Sequence, residues 1–248
     1  MKIAEGMYLV GSAQFGISAE LDCHIYLIED SGSLALIDSG AGSSDNDIEL
    51  IIKNIKNEGF DPLAVEALFL THAHSDHAGG AALLKERLGC KVISGRLTKD
   101  IVKKADDHEL GLDFARKSGF YGDDYIFRPF DVDSVIEDGE ELKIGQSSIK
   151  AIMTPGHSTD STCYLVEKGD KRLLFTGDVV NVGGKFILLN CYGFSLKEYR
   201  ENIKKLSGLN TDMLFPGHGV FTQKDGQSHV DILIDAFDRL LINSQLII

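Results

Sequence analysis

Three histidines and an aspartate lie within six residues of one another in the segment THAHSDHAGG. They are His72, His74, Asp76 and His77. In an extended segment, residues two apart face the same side, so His72 and His74 can reach one metal ion. A turn after them would bring Asp76 and His77 toward a neighbouring position. Imidazole and carboxylate suit zinc, iron or manganese, so this segment predicts a transition-metal site.

Three more ligand-type residues follow, each preceded by glycine and each placed after a short apolar run. They are His157, Asp178 and His218. Glycine permits a tight turn and a close backbone approach. Loops at the ends of strands are where rigid scaffolds present catalytic groups. These three residues are therefore predicted to meet the His72–His77 segment.

Seven ligands are more than one ion needs, so we predict two divalent metal ions, with zinc preferred and iron or manganese as alternatives. The first ion would take His72, His74 and His157. The second would take Asp76, His77 and His218. Asp178 would bridge the two, because a carboxylate has two oxygens and reduces the repulsion between cations about 3.5–4 Å apart.

Two such ions point to hydrolysis. They can lower the pKa of a shared water enough to hold hydroxide near pH 7. That hydroxide would attack an electrophilic carbon or phosphorus. Asp76 is the predicted catalytic residue, because its carboxylate would orient the nucleophile and could take its proton.

The elements that position these residues alternate between strand clusters and helices. Strands are predicted at residues 7–11, 23–29, 33–38, 67–71, 91–94, 140–144, 148–153, 162–167, 171–176 and 212–215. Helices are predicted at residues 45–59, 81–88, 195–207 and 228–241, and a long insertion at 97–129 that is helical over 97–118. This pattern indicates two related halves whose sheets pack face to face with helices outside. We expect one α/β domain over residues 1–248.

Composition limits the partners. The net charge is -13, with Asp+Glu 38 against Lys+Arg 25, and an acidic field repels nucleic acid and anionic membranes. The apolar runs are too short to span a bilayer, and the N-terminus lacks the pattern of a secretory signal. Four scattered cysteines without a CxxC pair suggest reduced thiols in a cytoplasmic protein. A small-molecule substrate is therefore expected, and a homo-oligomer is left open.

The segment from His72 to His77, with His157, Asp178 and His218 downstream, resembles the metallo-β-lactamase superfamily over about residues 8–220. The resemblance implies a four-layer αββα sandwich of two mixed sheets, with the metals at one edge between them. It also implies that Asp38, which ends the strand LALIDSG, hydrogen-bonds within the site without being a ligand. A turn-capping carboxylate is the alternative role for Asp38.

The branch of the family is indicated by Asp178. True β-lactamases commonly carry cysteine at that position, so a β-lactam substrate is not expected. The chain resembles instead hydroxyacylglutathione hydrolases of the glyoxalase II type and acyl-homoserine lactonases, which implies an ester, thioester or lactone substrate. Lys185 is similar in placement to the lysine that binds the glutathione carboxylate in those thioesterases. The lactonase tyrosine is absent after Asp178, and Asn181 or Tyr192 could replace it. Ordinary loop or core roles are the alternative for all three.

The same motif is also compatible with other reactions. A mononuclear iron oxygenase acting on a persulfide would use only His72, His157 and Asp178. A phosphodiesterase or nuclease is another alternative, although the family's nucleases usually carry extra domains or basic arms and this chain is acidic and compact. After His218 only 30 residues remain, 248 minus 218, and the thioesterases usually have a larger helical region there. The insertion at 97–129 is therefore predicted to cover the substrate.

Overall fold

The chain folds around two sheets. The computed structural model describes residues 1–241 and the backbone of residues 244–245. In the first sheet, β1 to β4 are antiparallel and β4 to β7 are parallel, in sequence order across seven strands. These strands are β1 (Lys2–Ala4), β2 (Met7–Gly11), β3 (Ile25–Asp30), β4 (Ser33–Ile37), β5 (Val65–Phe69), β6 (Lys91–Ser94) and β7 (Ser134–Val135).

The second sheet has the strand order β13-β11-β10-β9-β8. Its strands are β8 (Glu141–Ile144), β9 (Ser147–Met153), β10 (Thr162–Lys168), β11 (Lys171–Gly177) and β13 (Met213–Pro216). β11 and β13 are parallel, and the other neighbours are antiparallel. A short parallel pair, β12 (Phe186–Ile187) with β14 (Ser244–Gln245), lies apart from both sheets.

Helices cover the outer faces of the two sheets. They are α1 (Asp45–Asn57), α2 (Ser75–Ala78), α3 (Ala81–Leu88), α4 (Arg96–Lys104), α5 (Leu112–Lys117), α6 (Leu196–Asn202) and α7 (Gly226–Asp238), with 3-10 turns at Pro62–Ala64 and Ile203–Leu206. α1 contacts β2, α3 contacts β5 and β6, and α7 contacts β13. The predicted αββα sandwich is confirmed.

Strand alternation divides the core into layers. In β3, Ile25 and Leu27 face α1 and the other helices of the first sheet. Tyr26 and Ile28 face the second sheet, where they join the inter-sheet cluster that includes Phe175. Successive strand side chains point to opposite faces, so a strand buried on both faces is apolar throughout. This explains the unbroken apolar runs in the sequence.

The two halves repeat one pattern. In the first, the antiparallel hairpin β3-β4 leads through α1 to β5, which lies parallel to β4. In the second, the hairpin β10-β11 leads through α6 to β13, which lies parallel to β11. Asp30, in β3 of the first half, binds two residues of the second half. Its carboxylate accepts the backbone N–H of Ser147 at 2.6 Å and a hydrogen bond from Lys168 Nζ at 3.0 Å.

The insertion at 97–129 differs from the prediction of a continuous helix over 97–118. α4 ends at Lys104, Ala105 adopts a left-handed conformation with φ 51°, and α5 begins only at Leu112. Asp106 Oδ1 accepts the backbone N–H groups of His108 and Glu109 at 3.1 and 3.2 Å. A side chain that bonds to its own neighbouring backbone competes with the helix, which explains the break.

Two predictions from the sequence concern the cellular location of the protein and the extent of its domain. No helix in the described part of the chain combines the length and the apolar character needed to cross a membrane. All four cysteines are free thiols, three of them buried. The cytoplasmic location and the single domain over 1–248 stay predictions, and residues 242–243 and 246–248 lie outside the described residues.

Candidate metal centre

Strand direction brings the candidate ligands to one edge of the sandwich. β9 and β11 both pair antiparallel with β10, so they run the same way, and β13 runs parallel to β11. The carboxyl ends of these three strands therefore lie together. His157, Asp178 and His218 follow them, and the His72–His77 segment follows β5 of the other sheet. The loops of both sheets meet at this edge.

A first group of ligand atoms forms around His74. His74 Nδ1 lies 3.1 Å from His72 Nε2 and 3.1 Å from His157 Nε2. His157 Nε2 lies 3.4 Å from Asp178 Oδ2. These four side chains thus present three ring nitrogens and one carboxylate oxygen to a common point.

A second group forms around His77 and His218. Their Nε2 atoms are 3.3 Å apart. His218 Nε2 lies 2.9 Å from Asp76 Oδ2, and His77 Nε2 lies 3.3 Å from Asp178 Oδ1. Asp178 therefore directs Oδ2 to the first group and Oδ1 to the second.

These spacings fit metal ions. Ligand atoms about 2.0–2.1 Å from a tetrahedral Zn²⁺ lie about 3.3–3.4 Å from one another, and the separations here run from 2.9 to 3.7 Å. Protons cannot satisfy every contact, because His74 Nδ1 faces two other ring nitrogens at once. Among the described side chains, Asp178 Oδ1 is also buried without a hydrogen-bond partner. A cation among these atoms would resolve both problems.

The electrostatics of the site favour the ligand forms of His72, His157 and Asp178, whereas nearby negative charges, Asp178 and Asp76 among them, raise the pKa values of His77 and His218 against the effect of burial. Burial lowers the pKa of His157 to about 3 and that of His72 well below its usual value, which leaves both imidazoles neutral. Burial alone would raise the pKa of Asp178, but the positive charges of His218 and His77 outweigh it and hold the pKa well below the usual range. Neutral imidazole and ionised carboxylate are the forms that bind metals.

Asp38 lies behind the ligands and is fully buried. Its Oδ2 meets His77 Nδ1 at 2.8 Å, and its Oδ1 accepts the backbone N–H of Thr71 at 2.8 Å. The Thr71 hydroxyl donates to Asp38 Oδ2 at 2.8 Å and lies 3.0 Å from His72 Nδ1. A carboxylate on the far nitrogen of a ligand histidine fixes the tautomer and the ring orientation. The structure thus gives Asp38 hydrogen bonds within the site.

Three residues that were not among the predicted site residues form hydrogen bonds to the loops that carry the ligands. Asp160 Oδ2 accepts the backbone N–H of Ala73 at 2.8 Å, between His72 and His74. The Tyr199 hydroxyl donates to the carbonyl of Asp178 at 2.9 Å. His24 Nε2 lies 2.8 Å from the carbonyl oxygen of Gly219, next to His218. Asp160 has a signal in the sequence, because it follows His157 in the polar run HSTDST; Tyr199 and His24 have none.

Two of the glycines that precede ligands are needed for close approach, as predicted. A Cβ on Gly177, where φ is +48°, would lie 2.7 Å from the Thr71 hydroxyl. A Cβ on Gly217 would lie 2.8 Å from Asp178 Oδ1 and would overlap the His77 ring. Any larger residue at either position would displace the groups that form the site.

A cavity of about 290 Å³ opens onto the two groups. Five candidate ligands line it together with mostly apolar side chains. The lining residues are His74, Ser75, Asp76, Leu110, Gly111, Leu112, Phe114, Ala115, Ser118, Phe120, Tyr121, His157, Asp178, Ile187, Leu188, Leu189, Asn190, Cys191 and His218. The insertion forms one wall and residues 187–191 form the other.

The three candidate substrate-binding residues do not line this cavity. Lys185 is exposed, and its backbone carbonyl accepts the N–H of Asn181. Asn181 is buried near Gly219 instead. Tyr192 is half-exposed and packs its ring on His108 of the insertion at 4.9 Å. Their roles in substrate binding stay predictions.

The chain is similar to known proteins in sequence and in fold. A family model described as the metallo-β-lactamase superfamily matches residues 19–218. An atrochrysone carboxyl ACP thioesterase from Aspergillus fumigatus is 25% identical over 198 residues, covering 78% of this chain and 50% of the relative. A hydroxyacylglutathione hydrolase from Francisella philomiragia is 26% identical over 200 residues, covering 77% and 64%. The chain spans about half the length of the first curated relatives that it matches.

Among solved structures, a metallo-β-lactamase with a HARLDQ motif from Cronobacter sakazakii is similar. It has a TM-score of 0.72 at 23% identity, covering 97% of this chain and 96% of that one. At this identity the likeness concerns the fold.

Proposed function

The chain belongs to the metallo-β-lactamase superfamily, and from that premise we propose that it is a hydrolase that uses two divalent metal ions to cleave a carboxylic ester, thioester or lactone. The observation that carries the proposal is the placement of Asp178. Its Oδ2 faces the group of His72, His74 and His157, and its Oδ1 faces the group of Asp76, His77 and His218. Seven side chains are thus divided into two sets that share one carboxylate. The donor set suits zinc, with iron or manganese as alternatives.

When bound, two such ions lower the pKa of a coordinated water and polarise a substrate carbonyl. The chain itself supplies the residue that orients the water molecule and takes its proton. Asp76 borders the cavity, and its Oδ2 lies 2.9 Å from His218 Nε2. Burial opposes its charge, but His77 and His218 outweigh burial and lower the pKa of Asp76, so the carboxylate stays ionised. It can therefore orient a water molecule at the cavity floor and accept its proton.

Similar proteins support acyl transfer to water. The relatives include proteins named as a thioesterase and as a hydroxyacylglutathione hydrolase, both of which act on thioesters by name. The apolar cavity above the ligand groups is the kind of site that binds a small organic substrate. A small-molecule substrate is therefore part of the proposal.

The test is a substrate screen on the purified chain, prepared once with zinc and once with iron, with thioesters, esters, lactones, a phosphodiester and glutathione persulfide, with oxygen uptake recorded. We expect hydrolysis of acyl substrates without oxygen uptake. The variant His218→Ala should lose at least 100-fold in kcat/KM, on the order expected when a catalytic group is misplaced. The control His229→Ala, outside both ligand groups, should keep activity. Oxygen consumption on the persulfide with one iron per chain would overturn the proposal in favour of an oxygenase.

A further inference from the structure

We infer that the substrate carries an uncharged, apolar acyl group that lies between the insertion and residues 187–191, with the hydroxyl of Tyr121 as its polar contact on the insertion. The inference rests on the proposed function and adds the substrate class. The inference follows from the residues that form the cavity walls, because these residues determine which substrates can reach the two ligand groups.

The walls are mainly apolar on both sides, with Ser118 and Tyr121 as polar residues on the insertion side and Asn190 on the other. Leu110, Leu112 and Phe114 line the insertion side, and Ile187, Leu188 and Leu189 line the other. Within the described residues, neither lysine nor arginine lines the cavity. A charged group buried among such side chains loses its water without gaining a partner. The walls therefore select against an acyl group that carries a carboxylate.

Two polar side chains, Ser118 and Tyr121, line the insertion side, and the Ser118 hydroxyl already donates to the carbonyl of Ala115 at 2.8 Å. Tyr121 differs from it. It is 4% exposed, and its hydroxyl is buried without a hydrogen-bond partner among the described residues. Its ring packs against the Tyr125 ring at a tilt of 38°, with the centroids 4.4 Å apart, and the Tyr125 hydroxyl donates to the carbonyl of Ala41 at 2.8 Å. A buried hydroxyl is seldom left unpaired in a folded protein. An acceptor on the substrate, such as a carbonyl oxygen, would satisfy it.

The volume limits the size of the group. A cavity of about 290 Å³ holds roughly ten non-hydrogen atoms at ~30 Å³ each, the share of one water molecule. An acyl group of roughly eight carbons with its carbonyl oxygen and the scissile sulfur or oxygen fills that space. Shorter chains would leave part of the apolar wall uncovered, and much longer ones would extend into solvent.

The experiment measures kcat/KM of the zinc-loaded enzyme on N-acetylcysteamine thioesters of acetic, butanoic, octanoic and dodecanoic acid, and of suberic acid, which matches octanoic acid in length but ends in a carboxylate. We expect an increase of roughly fourfold for each methylene group up to octanoyl, a plateau at dodecanoyl, and at least 100-fold less for suberoyl. A flat series, or suberoyl equal to octanoyl, would overturn the inference while leaving the hydrolase proposal intact.

Binding to the metal-free protein separates the two proposals further. Calorimetry should detect octanamide binding, with at least tenfold weaker binding of suberic acid monoamide. If no acyl substrate is cleaved, the proposed function fails, and this measurement still decides the substrate class. Equal affinity for the two amides, or no binding of octanamide, would refute the apolar acyl site.

Two variants test the walls directly. Tyr121→Phe should lower kcat/KM for octanoyl thioester by about tenfold with unchanged metal content, whereas the matched control Tyr8→Phe, packed on Phe60, should have no effect. Leu188→Lys places a cation on a half-buried wall position and should raise the suberoyl-to-octanoyl ratio at least tenfold. An unchanged ratio in a folded, metal-loaded Leu188→Lys protein would contradict the assignment of this wall.

Discussion

Substitution of one glycine tests whether the two ligand groups are as tightly packed as their distances indicate. Gly217 has no side chain, and its backbone conformation is one that alanine also adopts. Alanine at this position would therefore cause no backbone strain. Its Cβ would instead lie 2.8 Å from Asp178 Oδ1 and overlap the His77 ring. The effect of Gly217→Ala should come from displacement of two ligands.

The size of that displacement follows from the contact. Ordinary Cβ contacts begin at 3.4 Å, so Asp178 Oδ1 must retreat by about 0.6 Å, the difference between 3.4 and 2.8 Å. Metal–ligand distances are held within about 0.2 Å. We therefore expect loss of the second metal ion and a decrease of about 10²-fold in kcat/KM, the typical cost of misplacing a catalytic group by about 1 Å.

The assay combines metal content per chain, kcat/KM on the best thioester and the unfolding midpoint of the metal-free protein. Gly95→Ala is the matched control, because its Cβ would make ordinary contacts at 3.4 and 3.5 Å. It should keep both metal ions and full activity. If Gly217→Ala folds and retains wild-type metal content and activity, the packing of the ligands around Gly217 is not as we describe.

Three further predictions concern other residues. Asp178→Ala should abolish turnover and reduce metal content, because the bridging carboxylate is lost; elemental analysis and kinetics that match the wild type would refute the bridge. Asp160→Ala should lower metal affinity more than turnover at saturating zinc, since Asp160 holds the backbone between His72 and His74, and a zinc titration monitored by activity measures this. Hydrogen bonds from Lys168 and Ser147 outweigh burial and lower the pKa of Asp30 to about 2. The ionised carboxylate therefore contributes about 1–2 kcal/mol to the free energy of unfolding above pH 4, and this contribution is lost as the pH falls toward 2. The stability difference between wild type and Asp30→Ala should therefore disappear over that interval in urea unfolding, and a difference that stays constant would contradict it.

The positions of the ligands could be predicted because each of them follows a strand end. His157, Asp178 and His218 come directly after glycines at the ends of apolar runs, and a sandwich brings such ends to one edge. The spacing of Ile48, Ile51, Ile52 and Ile55 likewise predicted α1, whose buried face they form. In these cases local periodicity and residue type decide the structure, with little dependence on distant parts of the chain.

The residues that line the cavity could not be predicted in the same way. Lys185 and Asn181 were chosen by their distance along the chain from Asp178, but the cavity wall is decided by how the insertion packs against residues 187–191. Tyr121 belongs to that packing and has no local signal. The break after Lys104 depended on Asp106 bonding to nearby backbone N–H groups, a competition that helical periodicity does not reveal.

The most direct measurement of the central proposal is a crystal structure of the zinc-loaded chain with anomalous diffraction at the zinc edge. We expect two peaks about 3.5–4 Å apart. One should be bound by His72, His74 and His157, the other by Asp76, His77 and His218, and Asp178 should contact both. A single peak within one group, or zinc bound without Asp178, would contradict the two-metal account.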